Sequence, residues 1–337
     1  MHPRACSLAL SCGLFLLIAG QFFWVTPILE TSDATGHYQY IRSLARQGQF
    51  PALPSPDPLY SAGEEAGQFP LYYLIGAALV KPFSDADLDA VYIPDPHNNA
   101  GAGLTKNYAF HRPFNGFPHG AELSVRIVEL FSLACGALTV ACCVLLARLY
   151  RPRQPGLWLA TGCAAAVLPS FVFLSSGVSN DNLVTALSAL TMVLLAAWLL
   201  DGRDRWSWLA AVSLWLAVLA KFNAVGLLGC YVLVLGWRTR SLRGWLTGLA
   251  KLAGAGVVLD GWWFARNVQL YGEPSGLLAL NHEIYGAGYA PFHVTLTGAF
   301  RHIASELPKA FHSFFVAFGH YNIDAPPAFV LVAALGG

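Results

Sequence analysis

From Ser7 to Leu29 the chain carries no charged side chain. A helix of about 20 apolar residues matches the ~30 Å hydrocarbon core of a bilayer, so a run of this length reads as a membrane span. A secretory signal would have an apolar segment of roughly 7–15 residues and then a small-residue cleavage site. No clear site of that kind follows Leu29, so the run reads as a retained first transmembrane helix. Further apolar blocks recur at Ala121–Tyr150, Gly156–Gly177, Asn182–Leu200, Trp206–Ala220, Phe222–Trp237 and Leu246–Phe264. Another begins near Pro326 and runs into Gly337. The blocks before and after Lys221-Phe222-Asn223 are short and read as a tight hairpin.

The pattern predicts an all-α polytopic membrane protein of about eight transmembrane helices, with interfacial helices in a long first outer loop. It divides the chain into a first span (1–29), a long extracytoplasmic loop (30–120), a transmembrane bundle of six helices (121–264), a second extracytoplasmic loop (265–325) and the start of a further span (326–337). Because the chain stops inside an apolar run, it reads as a truncated product or a fragment. Charged residues make up 12% of the chain, where a soluble domain carries about 25%. The formal net charge of +1 leaves no basic face for nucleic acid. Every cysteine lies in an apolar stretch, where thiols act as small hydrophobes.

Basic residues set the expected orientation. Arg148, Arg151 and Arg153, then Arg203 and Arg205, then Arg238, Arg240 and Arg243 follow alternate spans. Such clusters in short loops mark the cytoplasmic side. With Arg4 also inside, loops 30–120 and 265–325 face outward and hold nearly all the acids, Asp201, Asp204 and Asp260 excepted. Phe69–Phe83 is apolar but short and flanked by Pro70 and Pro82. If it crossed, every later loop would invert, so it is expected to be interfacial or re-entrant, with Tyr72 and Tyr73 at headgroup depth.

The candidate chemistry sits at the outer helix ends. Thr31, Ser32 or Asp33 is expected to cap a helix running to about Gln47. His37, four residues after Asp33, then shares its face. Ser179-Asn180-Asp181-Asn182 forms a polar tetrad between two apolar helices. Lys221 stands at the hairpin turn. Arg266 follows the aromatic run Trp262-Trp263-Phe264, and Arg126 and Glu129 are spaced to pair. Each has an ordinary explanation, by capping, snorkelling or interfacial anchoring. Their common depth is the signal, because ionisable residues at membrane boundaries are costly and often functional. Cations there suit a lipid phosphate, and an acid suits proton abstraction. His97, His111, His119, His282, His293, His302, His312 and His320 show no metal-ligand spacing, so no cofactor is indicated, a divalent metal included.

On these residues the chain resembles the GT-C superfamily of polytopic glycosyltransferases, and within it the protein-mannosyltransferase-like and aminoarabinose-transferase-like bacterial members. The resemblance runs in order through Glu30–Tyr38, Gln68–Tyr73, Arg126, Ser179–Asn182, Leu219–Phe222, Trp262–Asn267 and Tyr271-Gly272. It implies a polyprenyl-phosphate-sugar donor, membrane lipid as a partner, and Asp33 as general base. It makes Glu30, His37, Arg126, Asp181, Asn182, Lys221 and Arg266 the substrate-binding candidates. Many members have an acidic pair in the first loop. Here Ala34 follows Asp33, and Glu30 stands as the substitute. A free Asp has a pKa near ~3.9, so the base is expected to gain strength by burial. A non-catalytic scaffold or subunit, and a lipid-linked-sugar transporter, are the two rival readings.

Overall fold

The computed structural model of the chain describes residues 3–55, 62–95, 109–111, 117–286, 295–315, 317–318 and 323–324. Its elements in chain order begin with α1 (Pro3–Val25), α2 (Ala34–Arg42), α3 (Leu71–Val80) and α4 (Leu88–Val91). Strands β1 (Tyr92–Pro94) and β2 (Ala109–His111) pair antiparallel, with Tyr92 opposite His111. Helices α5 (Gly120–Tyr150), α6 (Pro155–Ala166), α7 (Pro169–Ser175), α8 (Asn180–Asp201) and α9 (Asp204–Ala220) follow. Then come α10 (Leu227–Arg238), α11 (Leu242–Leu259), α12 (Gly261–Tyr271), α13 (Leu277–Tyr285) and α14 (Leu296–Phe315). Strands β3 (Ala317–Phe318) and β4 (Ile323–Asp324) form a second antiparallel pair.

Three of these helices, α1, α5 and α8, are long and apolar enough to cross a membrane. The pair α6 and α7 adds a fourth if counted as one span bent by 66°. The bend falls where Leu168 takes an extended conformation ahead of Pro169, which opens α7. The residue before a proline is pushed out of helical geometry, and proline suits the first helical turn. On α1, Phe15 and Ala19 are buried against Leu133, Val140, Ala166 and Val172. Leu10, Leu17, Trp24 and Val25 remain more than half exposed. A bundle that packs one side of such a helix and bares the other is suited to lipid on the bare side.

The remaining expected spans are corrected. Among the described residues three or four helices are long and apolar enough to cross a membrane, not about eight. The Trp206–Ala220 block ends where Lys221 turns extended. The Phe222–Trp237 block opens with a 3-10 turn at Phe222–Gly226 before α10. The Leu246–Phe264 block is divided at Asp260, where α11 ends and α12 begins. Arg243 and Lys251 also lower the hydropathy of α11. The block from Pro326 to Gly337 lies outside the described residues.

The first loop folds onto one end of the bundle. Helix α2 continues through a π-helical turn at Ser43–Gln47, as its spacing predicts. Helix α3 has ten residues, about 15 Å, half the hydrocarbon thickness. Tyr72 and Tyr73 are fully buried, packed inside the fold and not exposed on its surface. They belong to an aromatic core with Tyr38, Tyr40, Phe69 and Trp263. The Tyr40 and Tyr73 rings stack face to face at 3.8 Å. Burying each such ring is worth about 1.5–3 kcal/mol. Arg42 and Arg46 clamp Asp85 at 3.3 and 2.9 Å, tying the end of α2 to the loop after α3.

Candidate functional site

Asp33 occupies the N-cap position of α2 in a left-handed conformation, φ 58°, and its side chain caps no backbone N–H. Left-handed backbone is costly for most residues but tolerated by Asp and Asn, so the site selects a short polar side chain. The carboxylate is exposed, and the Ser32 hydroxyl donates to it at 3.0 Å. The expected burial of this acid is therefore absent.

One helical turn on, His37 is buried, 3% exposed. Its Nδ1 lies 2.8 Å from the Tyr73 hydroxyl and 3.2 Å from Glu65 Oε2. The Tyr73 hydroxyl donates to Glu65 Oε2 at 3.2 Å. With the ring proton assigned to Nδ1, the three groups form one relay from His37 through Tyr73 to Glu65. Burial is the main force on both ionisable members. It pushes the Glu65 carboxyl far above the usual carboxylate range, with Asp33 adding to the rise. It drives the His37 imidazole down, against the opposing pull of Asp33 and with help from Lys221. Burial therefore favours the uncharged form of both side chains. Glu64, beside them, is also raised, by partial desolvation first and then by Asp33 and Glu283.

Glu65 reaches His37 because the 3-10 turn Gly63–Gly67 packs directly on α2 at Gly36. A Cβ at residue 36 would lie 3.0 Å from both the Ala62 carbonyl oxygen and Glu65 Cγ. Sequence reasoning missed Glu64 and Glu65, although two adjacent acids in a glycine-flanked turn stand out in a chain with only 19.

Asp181 and Lys221 meet at the head of the bundle. Lys221 Nζ donates to Asp181 Oδ1 at 2.8 Å. Both act electrostatically on His37, which puts them in one neighbourhood with Asp33. Ser179 is the α8 N-cap, its hydroxyl accepting from the Asp181 backbone N–H and donating to Asp181 Oδ2 at 3.3 Å, while Oδ1 takes the lysine. Below the pair runs a groove of about 530 Å³ along one face of α8. Val184, Ala189, Met192 and Leu227 give it an apolar wall, and Thr185 and Asn223 a polar margin.

The other candidates are engaged elsewhere. Glu30 accepts from the Ala109 backbone N–H and lies 2.8 Å from His111 Nε2. It thus ties β2 to the end of the first span and is not paired with Asp33. Arg126 donates to the Phe23 and Thr26 carbonyl oxygens and to Glu129, closing the last turn of α1. Asn182 donates to the Leu174, Gly177 and Ser179 carbonyl oxygens, bridging the break between α7 and α8. Arg266 donates to the Pro51 carbonyl oxygen at 2.7 Å and lies over the Trp263 ring. With the Tyr271 hydroxyl accepting from the Leu53 N–H, it fixes the loop after α2. That loop walls a polar cavity of about 640 Å³ on the far side of α2, lined by Gln39, Arg42, Arg46, Gln47, Gln49 and Phe50 among others.

Among the described residues, no three His, Cys, Asp or Glu side chains gather closely enough to hold a metal ion. His97, His293 and His320 lie outside the described residues. Comparison of the chain with family models, with curated protein sequences and with solved structures finds no match.

Proposed function

We propose that this chain is an integral membrane glycosyltransferase. It moves a sugar from a polyprenyl-phosphate donor to a glycan, lipid or protein acceptor at the outer face of a bacterial inner membrane, its N-terminus being cytoplasmic. The observation that carries the reading is a juxtaposition. An exposed, uncapped Asp33 carboxylate shares one electrostatic neighbourhood with the Lys221–Asp181 pair at the head of an apolar groove.

The groove takes the first part of the prenyl tail, and Lys221 meets the phosphate. Its present partner, Asp181, is 43% exposed, and exposed ion pairs are worth only about 0–1 kcal/mol. The lysine is thus free to exchange one anion for another. Asp33 takes the proton from an acceptor hydroxyl as its oxygen attacks the anomeric carbon. The carbon–oxygen bond to phosphate breaks, polyprenyl phosphate leaves with the electron pair, and the configuration inverts. A positioned base contributes about 10²–10⁴-fold, and a cation aimed at the leaving phosphate adds to it.

Glu65 and His37 support the same reading. Burial favours the uncharged form of each, which keeps a buried negative charge from standing behind the exposed Asp33 against the incoming phosphate. His37, its Nδ1 held by Tyr73 and Glu65, is a buried support behind Asp33 that orients the start of α2. The polar cavity behind α2 accommodates more distant parts of that acceptor. The test is donor consumption: membranes carrying the chain should release polyprenyl phosphate from labelled polyprenyl-phosphate sugars above an empty-vector control. Release no greater than the control, for every donor offered, contradicts the proposal.

A further inference from the structure

Helix α14 presents a face that nothing in the described fold covers. Phe300, Ile303, Leu307 and Phe311 are 65%, 57%, 61% and 39% exposed. Their spacing of three, four and four residues puts them in one stripe along the helix. The opposite face carries Arg301, His302, Ser305, Lys309 and His312. A helix so divided, in water, would bare a continuous apolar strip that soluble surfaces avoid.

The depth of this helix follows from what its end touches. The Ser313 carbonyl oxygen accepts from the Ser170 hydroxyl at the start of α7, at 3.0 Å. Just beyond α14, the Phe318 ring stacks on Phe22 of α1 at 6.0 Å and meets Phe173 of α7 edge-on at 5.5 Å. Phe22 lies one turn from Val25, the last residue of α1. At that level Trp24 is 64% exposed, and the Arg126 guanidinium closes the helix end. An outward tryptophan and a guanidinium at one height mark the edge of a hydrocarbon core, since the ring favours the interface and the cation avoids the interior.

We infer that α14 lies in the plane of the membrane as an interfacial helix. It seats Phe300, Ile303, Leu307 and Phe311 among the acyl chains and turns Arg301 and Lys309 to the lipid headgroups, on the same face of the membrane as Asp33. Arg301 and Lys309 outnumber the one acid, Glu306, which itself pairs with Lys309 at 2.9 Å. The residual positive charge favours an anionic lipid surface. A protein partner on the same stripe would need a complementary surface, whereas lipid requires only the depth that Phe318 and Ser313 already impose.

The experiment uses the whole chain in vesicles of phosphatidylcholine and phosphatidylglycerol. Nitroxides are attached to single cysteines replacing Ile303, Leu307, Arg301 or Ser305, in a background lacking the seven native cysteines. Collision with oxygen, relative to a water-soluble nickel complex, should be several-fold higher at residues 303 and 307 than at 301 and 305. In parallel, the unmodified chain is crosslinked to a lipid with a photoactivatable acyl chain, and adducts should map to Phe300, Ile303 and Leu307. The inference is overturned if the nickel complex reaches all four labels equally, which would place the helix in water. It is also overturned if residues 303 and 307 are shielded from both reagents and take no lipid adduct. A second copy or another protein would then cover the stripe.

Discussion

His37 Nδ1 and Glu65 Oε2 lie 3.2 Å apart, brought together from 28 positions apart in the chain by the packing of a 3-10 turn on the first helix of the loop. The contact places a buried imidazole and a buried carboxyl, each shifted by burial toward its uncharged form, directly behind the exposed Asp33. Several consequences of that arrangement are measurable.

The first is a pH dependence with a definite sign. Burial raises Glu65 from 4.5 to about 8. Its contribution to stability is full below the unfolded value and is lost as pH rises through the folded one. Burial lowers His37 from 6.5 to about 4, so its contribution is present above the unfolded value and is lost as pH falls through the folded one. Thermal unfolding in detergent across pH 4 to 9 should therefore show wild-type stability falling toward both ends. Glu65→Gln, which keeps the shape and cannot ionise, should abolish the alkaline decline and leave the acid one. An unchanged alkaline limb in the variant would mean that Glu65 is not the buried acid responsible.

Removing the Tyr73 hydroxyl tests the relay. Tyr73→Phe leaves Glu65 and His37 each short of a partner in a site closed to water. Such a loss costs about 1–3 kcal/mol. Denaturant unfolding should show a destabilisation of that size, whereas Tyr72→Phe, which cuts bonds to Ser132 and Ser179, should leave the alkaline limb of the pH profile as it was.

Gly36 lies in close contact with the turn that carries Glu65. In Gly36→Ala the added carbon meets a backbone carbonyl that has no rotamer to change. Overpacking of this kind costs about 1–3 kcal/mol. Turnover should fall along with stability, because the displaced element is the one that holds Glu65 to His37.

Lys221 and Asp181 should separate cleanly. Asp181→Ala breaks an exposed ion pair, so the melting temperature should move little, consistent with about 0–1 kcal/mol. Lys221→Ala should leave stability similarly unmoved and lower turnover by about 10²-fold, the usual effect of deleting one group that stabilises developing charge. Equal turnover in Lys221→Ala and wild type would remove the lysine from the reaction.

Much of the bundle was legible in the chain. Helices α1, α5 and α8 follow from apolar runs long enough to declare themselves, and α2 through Gln47 follows from its apolar spacing. The later spans were over-counted because α9 and α10 are short, as the hairpin reading at Lys221 already implied, and because Asp260 separates α11 from α12 inside one apolar block. Of the candidate residues, Asp33, His37, Asp181 and Lys221 come to one end of the bundle, as their positions at helix ends in the sequence suggest. Arg126 and Arg266 gave the same boundary-cation signal, yet their donors close backbone carbonyls at Phe23, Thr26 and Pro51. Backbone acceptors leave no trace in side-chain identity. Glu65 was missed because only the tertiary contact at Gly36 brings it to His37.

The most direct test of the account is turnover of a labelled polyprenyl-phosphate sugar by wild type and by Asp33→Asn. Asparagine tolerates the same left-handed backbone, so the variant keeps the fold and loses only the base. The account predicts release of polyprenyl phosphate by the wild type, reduced about 10²–10⁴-fold in the variant. Equal release by both proteins would contradict it, because the proton would then leave by a route that does not pass through Asp33.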